Sequence, residues 1–181
     1  MQNYSTKNVQ FTQSLPSKKH VEADCDIGEI MRTPAPSPRH QWIVQNLLCQ
    51  LRTQTKDEFL YLQAPCDLII SSRKIHQPDL MIIHKQRRHS IQEHAVISPP
   101  DIIIEVLSTS STPLDRRIKM RDYAQFGINE YWIVNADELA VEQYVRKQDI
   151  YQYVQTIQQE NITSAQFNNI SCHVSQIFPS Y

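Results

Sequence analysis

Glycine is almost missing from this chain: Gly28 and Gly127 are the only two among 181 residues. That scarcity excludes glycine-rich phosphate loops and dinucleotide fingerprints, which need several glycines at fixed spacing. No apolar run approaches the ~20 residues that a membrane-spanning helix takes, and the N-terminal stretch has no signal-peptide core. The expectation is a cytoplasmic protein with no membrane partner. The four cysteines, Cys25, Cys49, Cys66 and Cys172, form no CxxC pair and have no histidine at zinc-ligand spacing. They read as reduced packing thiols. Net charge is lacking as well, since 18 Lys and Arg oppose 19 Asp and Glu. A chain so balanced has no global basic field, so any nucleic-acid surface has to be a local patch.

What is present fits one domain with its own core. Residues 1–20 are polar and aperiodic and read as a flexible N-terminal segment, which leaves 21–181 as a single domain. A short strand is expected at 29–31, after Gly28. The proline-rich stretch 33–38 is a stiff connector. Ser37 caps a helix whose first position is Pro38, and the helix runs to about Gln54 with Ile43, Leu47 and Leu51 on one face. Strands follow at 66–70, 80–83 and 101–107, with a polar loop over 84–100. Thr112, Pro113 and Asp115 begin a second helix that Gly127 stops after Phe126. Successive antiparallel strands are predicted at 130–135, 139–145 and 150–155, and 170–178 closes an edge. The pattern is a mixed α/β (α+β) domain, a central mixed sheet flanked by helices.

The informative stretch runs from Pro99 to Trp132. Ile102-Ile103-Ile104 reads as a strand buried on both sides, and Glu105 follows it directly, where an unpaired charge is costly. If Asp79–Ile83 pairs antiparallel with Asp101–Leu107 and Ile83 lies opposite Asp101, then Asp79 lies opposite Glu105. Opposed side chains lie about 4.5–5.5 Å apart at Cβ, close enough for two carboxylates to hold one ion. Asp101 shares the face, but four residues away it is about 13 Å off and remains a strand-end acid. Two oxygen ligands suit Mg²⁺ or Mn²⁺, which complete their shells with water and substrate phosphates. Lys119, if its helix folds back over the strand, reaches the same place. Arg116, Arg117 and Arg121 around it, and Lys85, Arg87 and Arg88 in the polar loop, suit phosphate contacts.

Each residue also has a plainer reading. Asp79 after Pro78 can be a strand-entry acid, Glu105 can pair with a helix lysine, and the helix cations can be a solvated face. Asp115 and Lys119 can form a simple i,i+4 pair. His40 can be a surface residue at a helix start. The joint order of two acids and a lysine, each where a sheet-edge site needs it, favours the site.

These residues resemble a known family. Pro78-Asp79-Leu80, then Pro100-Asp101-Ile102-Ile103-Ile104-Glu105-Val106-Leu107-Ser108, then Asp115-Arg116, Lys119, Tyr123, Gly127 and Glu130-Tyr131-Trp132-Ile133-Val134 are similar to the Uma-two family. Gly28-Glu29-Ile30 and Pro36-Ser37 with His40 also resemble it, so the likeness spans about residues 22 to 178. This is a bacterial group of restriction endonucleases in the PD-(D/E)XK nuclease superfamily. The resemblance implies a nuclease core of four or five mixed strands with a helix on each side. It makes Asp79 the motif aspartate, Glu105 the following acid and DNA the substrate, with a homodimer as a family-level expectation. The lysine expected two residues after the second acid is missing, since position 107 is Leu, and the role falls to Lys119. Asp24, Glu22, His40, Asp101 and Asp115 are auxiliary candidates. The reading is a Mg²⁺- or Mn²⁺-dependent DNA endonuclease. The alternative is a nuclease-fold module, catalytically weak or inactive, that binds nucleic acid or oligomerises.

Overall fold

The computed structural model describes residues 35–55, 57–107 and 112–179. The expected flexible start over 1–20, the strand at 29–31, Cys25, and the auxiliary acids Glu22 and Asp24 lie outside these residues, as do positions 108–111. In chain order the elements are α1 (Pro38–Gln54), β1 (Phe59–Gln63), β2 (Asp67–Ser71), β3 (Lys74–His76) and β4 (Leu80–His84). A 3-10 turn (Lys85–Ser90), β5 (Ala95–Val96), β6 (Ile102–Val106), α2 (Pro113–Phe126) and β7 (Glu130–Asn135) follow. The chain continues through β8 (Ala140–Lys147), β9 (Ile150–Ile157), β10 (Asn161–Thr163), β11 (Ser171–His173) and a 3-10 turn (Val174–Gln176).

A six-stranded sheet in the order β1-β4-β6-β7-β8-β9 forms the centre. Only β6 and β7 run parallel, and α2 makes the crossover between them; the remaining neighbours are antiparallel. The side-chain alternation of β4, β6 and β7 explains why both faces are covered. Leu80, Ile82, Ile102, Ile104, Val106, Trp132 and Val134 pack with Ile43, Val44, Leu47 and Leu51 of α1. Met81, Ile83, Ile103, Tyr131 and Ile133 pack with Tyr123 of α2. The two helices therefore lie on opposite faces, over strands that are apolar on both sides.

Local chemistry sets both helix starts. Ser37 Oγ accepts from the His40 N–H at 3.2 Å and Thr112 Oγ1 from the Asp115 N–H at 3.1 Å, each with proline next in the chain. Gly127 ends α2 at φ 100°, a left-handed position where a side chain is disfavoured.

Three expectations change. The loop over 84–100 contains a 3-10 turn and β5, which pairs parallel with β2 in a small three-stranded sheet. The segment expected to close a sheet edge instead pairs with β10 in a two-stranded sheet beside α1. The central sheet has six strands instead of four or five, because β1 adds an edge beside β4 and β9 forms the other. β9 carries no charged residue and no proline, and Ile150, Tyr153 and Val154 are exposed on it. The three described cysteines are unpaired. Among the described residues no helix is long and apolar enough to cross a membrane.

Candidate active site

β4 and β6 pair with Leu80 opposite Ile104, Met81 opposite Ile103 and Ile82 opposite Ile102. Carried one step further, this register sets Asp79 against Glu105, and carried back it sets Ile83 against Asp101. That is the expected register, with 79–83 and 101–105 each four steps long. Glu105 is two residues from Ile103, so alternation directs it toward the face that α2 covers, while Asp79 stands just before β4 at the end of the strand.

α2 supplies the partners of Glu105. Lys119 Nζ lies 3.1 Å from Oε2, and the Tyr123 hydroxyl donates to Oε1 at 2.7 Å. Lys119 and Tyr123 are four apart, one helical turn, which places them on the same side of α2. Asp79 is reached from the other side of the sheet: His40 Nε2 donates to Oδ2 at 3.2 Å, and the backbone N–H of Val106 donates to the same oxygen at 2.8 Å. Asp115 touches Lys119 from the solvent side at 3.9 Å.

Burial pushes the Glu105 carboxyl up to about 7, the Asp79 charge adds to the rise, and Lys119 and Tyr123 oppose it. Burial lowers the Lys119 ammonium, but the charge and hydrogen bond of Glu105 outweigh it and hold the group above its ordinary value. The hydrogen bond from His40 to Asp79 raises the imidazole despite its burial. A buried carboxyl that ionises only near neutrality, opposite a second acid, is a place where added positive charge is favoured.

Among the described residues no group of three or more His, Cys, Asp and Glu side chains could hold a metal ion. Asp79 and Glu105 are two opposed carboxylates, so a cation between them would draw the rest of its shell from water or substrate. An oxygen-only pair of this kind fits Mg²⁺ or Mn²⁺, which are commonly held by one or two carboxylates plus substrate phosphates.

The remaining candidates separate. Asp101 does not join the pair: it is buried, accepts from the His84 N–H at 2.7 Å and binds Arg87 Nη1 at 2.7 Å. Arg87, expected on a phosphate-facing loop, is also bonded to the Pro99 carbonyl and is half-buried. Arg116, expected in the same role on the helix, is turned inward to Glu142 and the Tyr144 hydroxyl. The basic stripe on α2 is therefore not continuous. Arg121 contacts its neighbour Asp122 but remains exposed, as do Lys85, Arg88 and Arg117. Asp122 is itself buried; burial raises its carboxyl, but hydrogen bonds from Lys74 and His76 win and hold it below the usual carboxylate range.

Tyr123 is the residue that the sequence analysis left outside the site. The signal was available in its i+4 spacing from Lys119, but a tyrosine on the buried side of a helix reads first as core.

A family model described as "Uma2: Putative restriction endonuclease" matches residues 9–175. Among solved structures, the chain is similar to a "putative nuclease belonging to DUF820" from Anabaena variabilis ATCC 29413. The TM-score is 0.64 at 16% identity, over 83% of this chain and 86% of that one. At that identity the likeness concerns the fold. No curated protein matches the chain.

Proposed function

The chain belongs to the Uma2 family, and on that premise we propose that it is a divalent-metal-dependent nuclease whose site is Asp79, Glu105 and Lys119. The observation that carries the reading is the opposed pair of acids, one of them buried, with a lysine ammonium 3.1 Å from the buried acid. Asp79 and Glu105 would hold Mg²⁺ or Mn²⁺. A cation there supplies charge that offsets the paired acids and polarises a phosphoryl oxygen.

Hydrolysis adds one water across a P–O bond, so the site has to place that water and bear the negative charge that develops on the phosphoryl oxygens. Lys119 suits both tasks. Glu105 keeps it protonated, and it is a quarter exposed to solvent. It orients the attacking water and stabilises the charge. Asp115 shares the ammonium from outside. The exposed cations Lys85, Arg88, Arg117 and Arg121 would contact backbone phosphates of DNA. The homodimer we propose would bring two such sites to a duplex, in the cytoplasm where the thiols stay reduced.

The test is a calorimetric Mg²⁺ and Mn²⁺ titration of the wild type and of Asp79→Ala/Glu105→Ala, with and without a non-cleavable duplex, followed by a cleavage assay. Binding and metal-dependent cleavage are expected in the wild type alone. Full metal-dependent cleavage by Glu105→Ala would sink the assignment. A second reading is a nuclease-fold module that binds DNA through the exposed Lys85, Arg88, Arg117 and Arg121 without cutting it. It predicts salt-sensitive DNA binding with no cleavage under either metal.

A further inference from the structure

Each acid of the pair is held from outside the pair by a flanking helix, Asp79 by His40 of α1 and Glu105 by Tyr123 of α2 beside Lys119. His40, in the first turn of α1, contacts Asp79 at Oδ2; Tyr123, in the second half of α2, contacts Glu105 at Oε1. Both holders are buried, Tyr123 completely and His40 at 9% exposure. The contacts are selective for single oxygens. The Val106 N–H joins His40 on Oδ2, while Lys119 takes the Glu105 oxygen that Tyr123 leaves. A carboxylate turns easily about its last torsion, which is broad and roughly two-fold. A fixed donor on one chosen oxygen removes that freedom.

Packing alone does not account for either holder. The Tyr123 ring meets His76 and Tyr131 edge-on at 5.4 and 5.5 Å, contacts that a phenylalanine ring preserves. Among the described residues its hydroxyl bonds Glu105. The His40 imidazole is bonded to Asp79 Oδ2, with the Val106 backbone as a weaker further partner, and its Nδ1 is buried without a partner among the described residues. A buried polar atom left unpaired costs stability.

We propose that His40 and Tyr123 are positioning residues that fix the Asp79 and Glu105 carboxylates, so that the pair's affinity for a divalent cation depends on one residue from each helix. The proposal rests on the two-carboxylate reading above. Groups that orient metal ligands commonly change affinity by 10–100-fold when removed.

The experiment is a calorimetric Mn²⁺ titration of the full chain and of Tyr123→Phe, His40→Leu, His40→Gln and Tyr131→Phe, each also unfolded in urea. Tyr123→Phe and His40→Leu are expected to bind Mn²⁺ about tenfold more weakly or worse. His40→Gln, whose amide can still donate to Oδ2, is expected to recover most of the loss. Tyr131→Phe removes a hydroxyl from the same cluster that makes no described hydrogen bond to either acid, and its affinity should stay close to that of the wild type. A purely structural role would shift the urea midpoints and leave Mn²⁺ affinity unmoved. That result, with wild-type binding intact, overturns this proposal alone. A wild type that binds no Mn²⁺ even with a non-cleavable duplex present overturns it together with the two-carboxylate reading.

Discussion

At Glu105 the proposed metal-holding role and stability pull in opposite directions. An ordinary glutamate releases its proton near pH 4.3, whereas this one holds it to about 7 because burial and Asp79 disfavour the charge. Between those values the folded chain binds more protons than the unfolded chain, so stability falls as pH rises through that window. Glu105→Gln removes the titration while keeping the carboxamide's size and an oxygen for the Tyr123 hydroxyl. Without added metal, the variant should therefore be the more stable protein at pH 8, by of order 2–3 kcal/mol. The difference should close at pH 5, and urea unfolding at the two pH values measures it. A variant less stable than wild type at pH 8 would mean that the Lys119 ion pair outweighs the burial of the carboxylate. A residue whose conservative replacement stabilises the fold is being kept for something other than folding.

At the scale of the element, α2 matters because it carries Lys119 and Tyr123 to the same acid, and its two ends determine where it sits. Its C-terminal stop is Gly127 at φ 100°, where an added Cβ would meet Pro99 Cγ at 3.5 Å, an ordinary contact. The penalty for Gly127→Ala is thus one of backbone conformation, about 1–2 kcal/mol, and Gly127→Asn should lose less. Thermal unfolding of the two variants checks the order. Both helices were legible in the sequence because caps, first-position prolines and a single glycine are local signals. The β4–β6 register was legible for a different reason: two segments of equal length between strand-end acids pair in register without a bulge. The fate of the arginines was not. Arg116 is bonded to Glu142, 26 residues further on in another strand, and nothing near Arg116 announces that partner. Arg87 is bonded to Asp101, 14 residues away across the loop that precedes β6. The small sheet of β10 and β11 was misplaced because three-residue strands carry too little alternation to show which neighbour they join.

For the molecule as a whole, charge is nearly balanced, and two of the arginines expected to face a polyanion are bonded to internal carboxylates. Near-neutral proteins lack the mutual repulsion that keeps copies apart in concentrated solution. That makes the composition of β9 consequential. It is an edge strand of eight residues with no lysine, no acid and no proline, and among the described residues no further strand pairs beyond it. Sheet edges are ordinarily protected by such residues, because unpaired backbone groups on a long neutral strand serve as a template for more strand. The consequence is colloidal. Val154→Lys, at a position 47% exposed, should raise the concentration at which the protein precipitates and leave the melting temperature where it was. Light scattering during concentration, set beside a thermal melt, would show it. If the precipitation limit did not move, the strand would not be the sticky edge, and the exposed Leu114 and Ile118 of α2 would be the next place to add a charge.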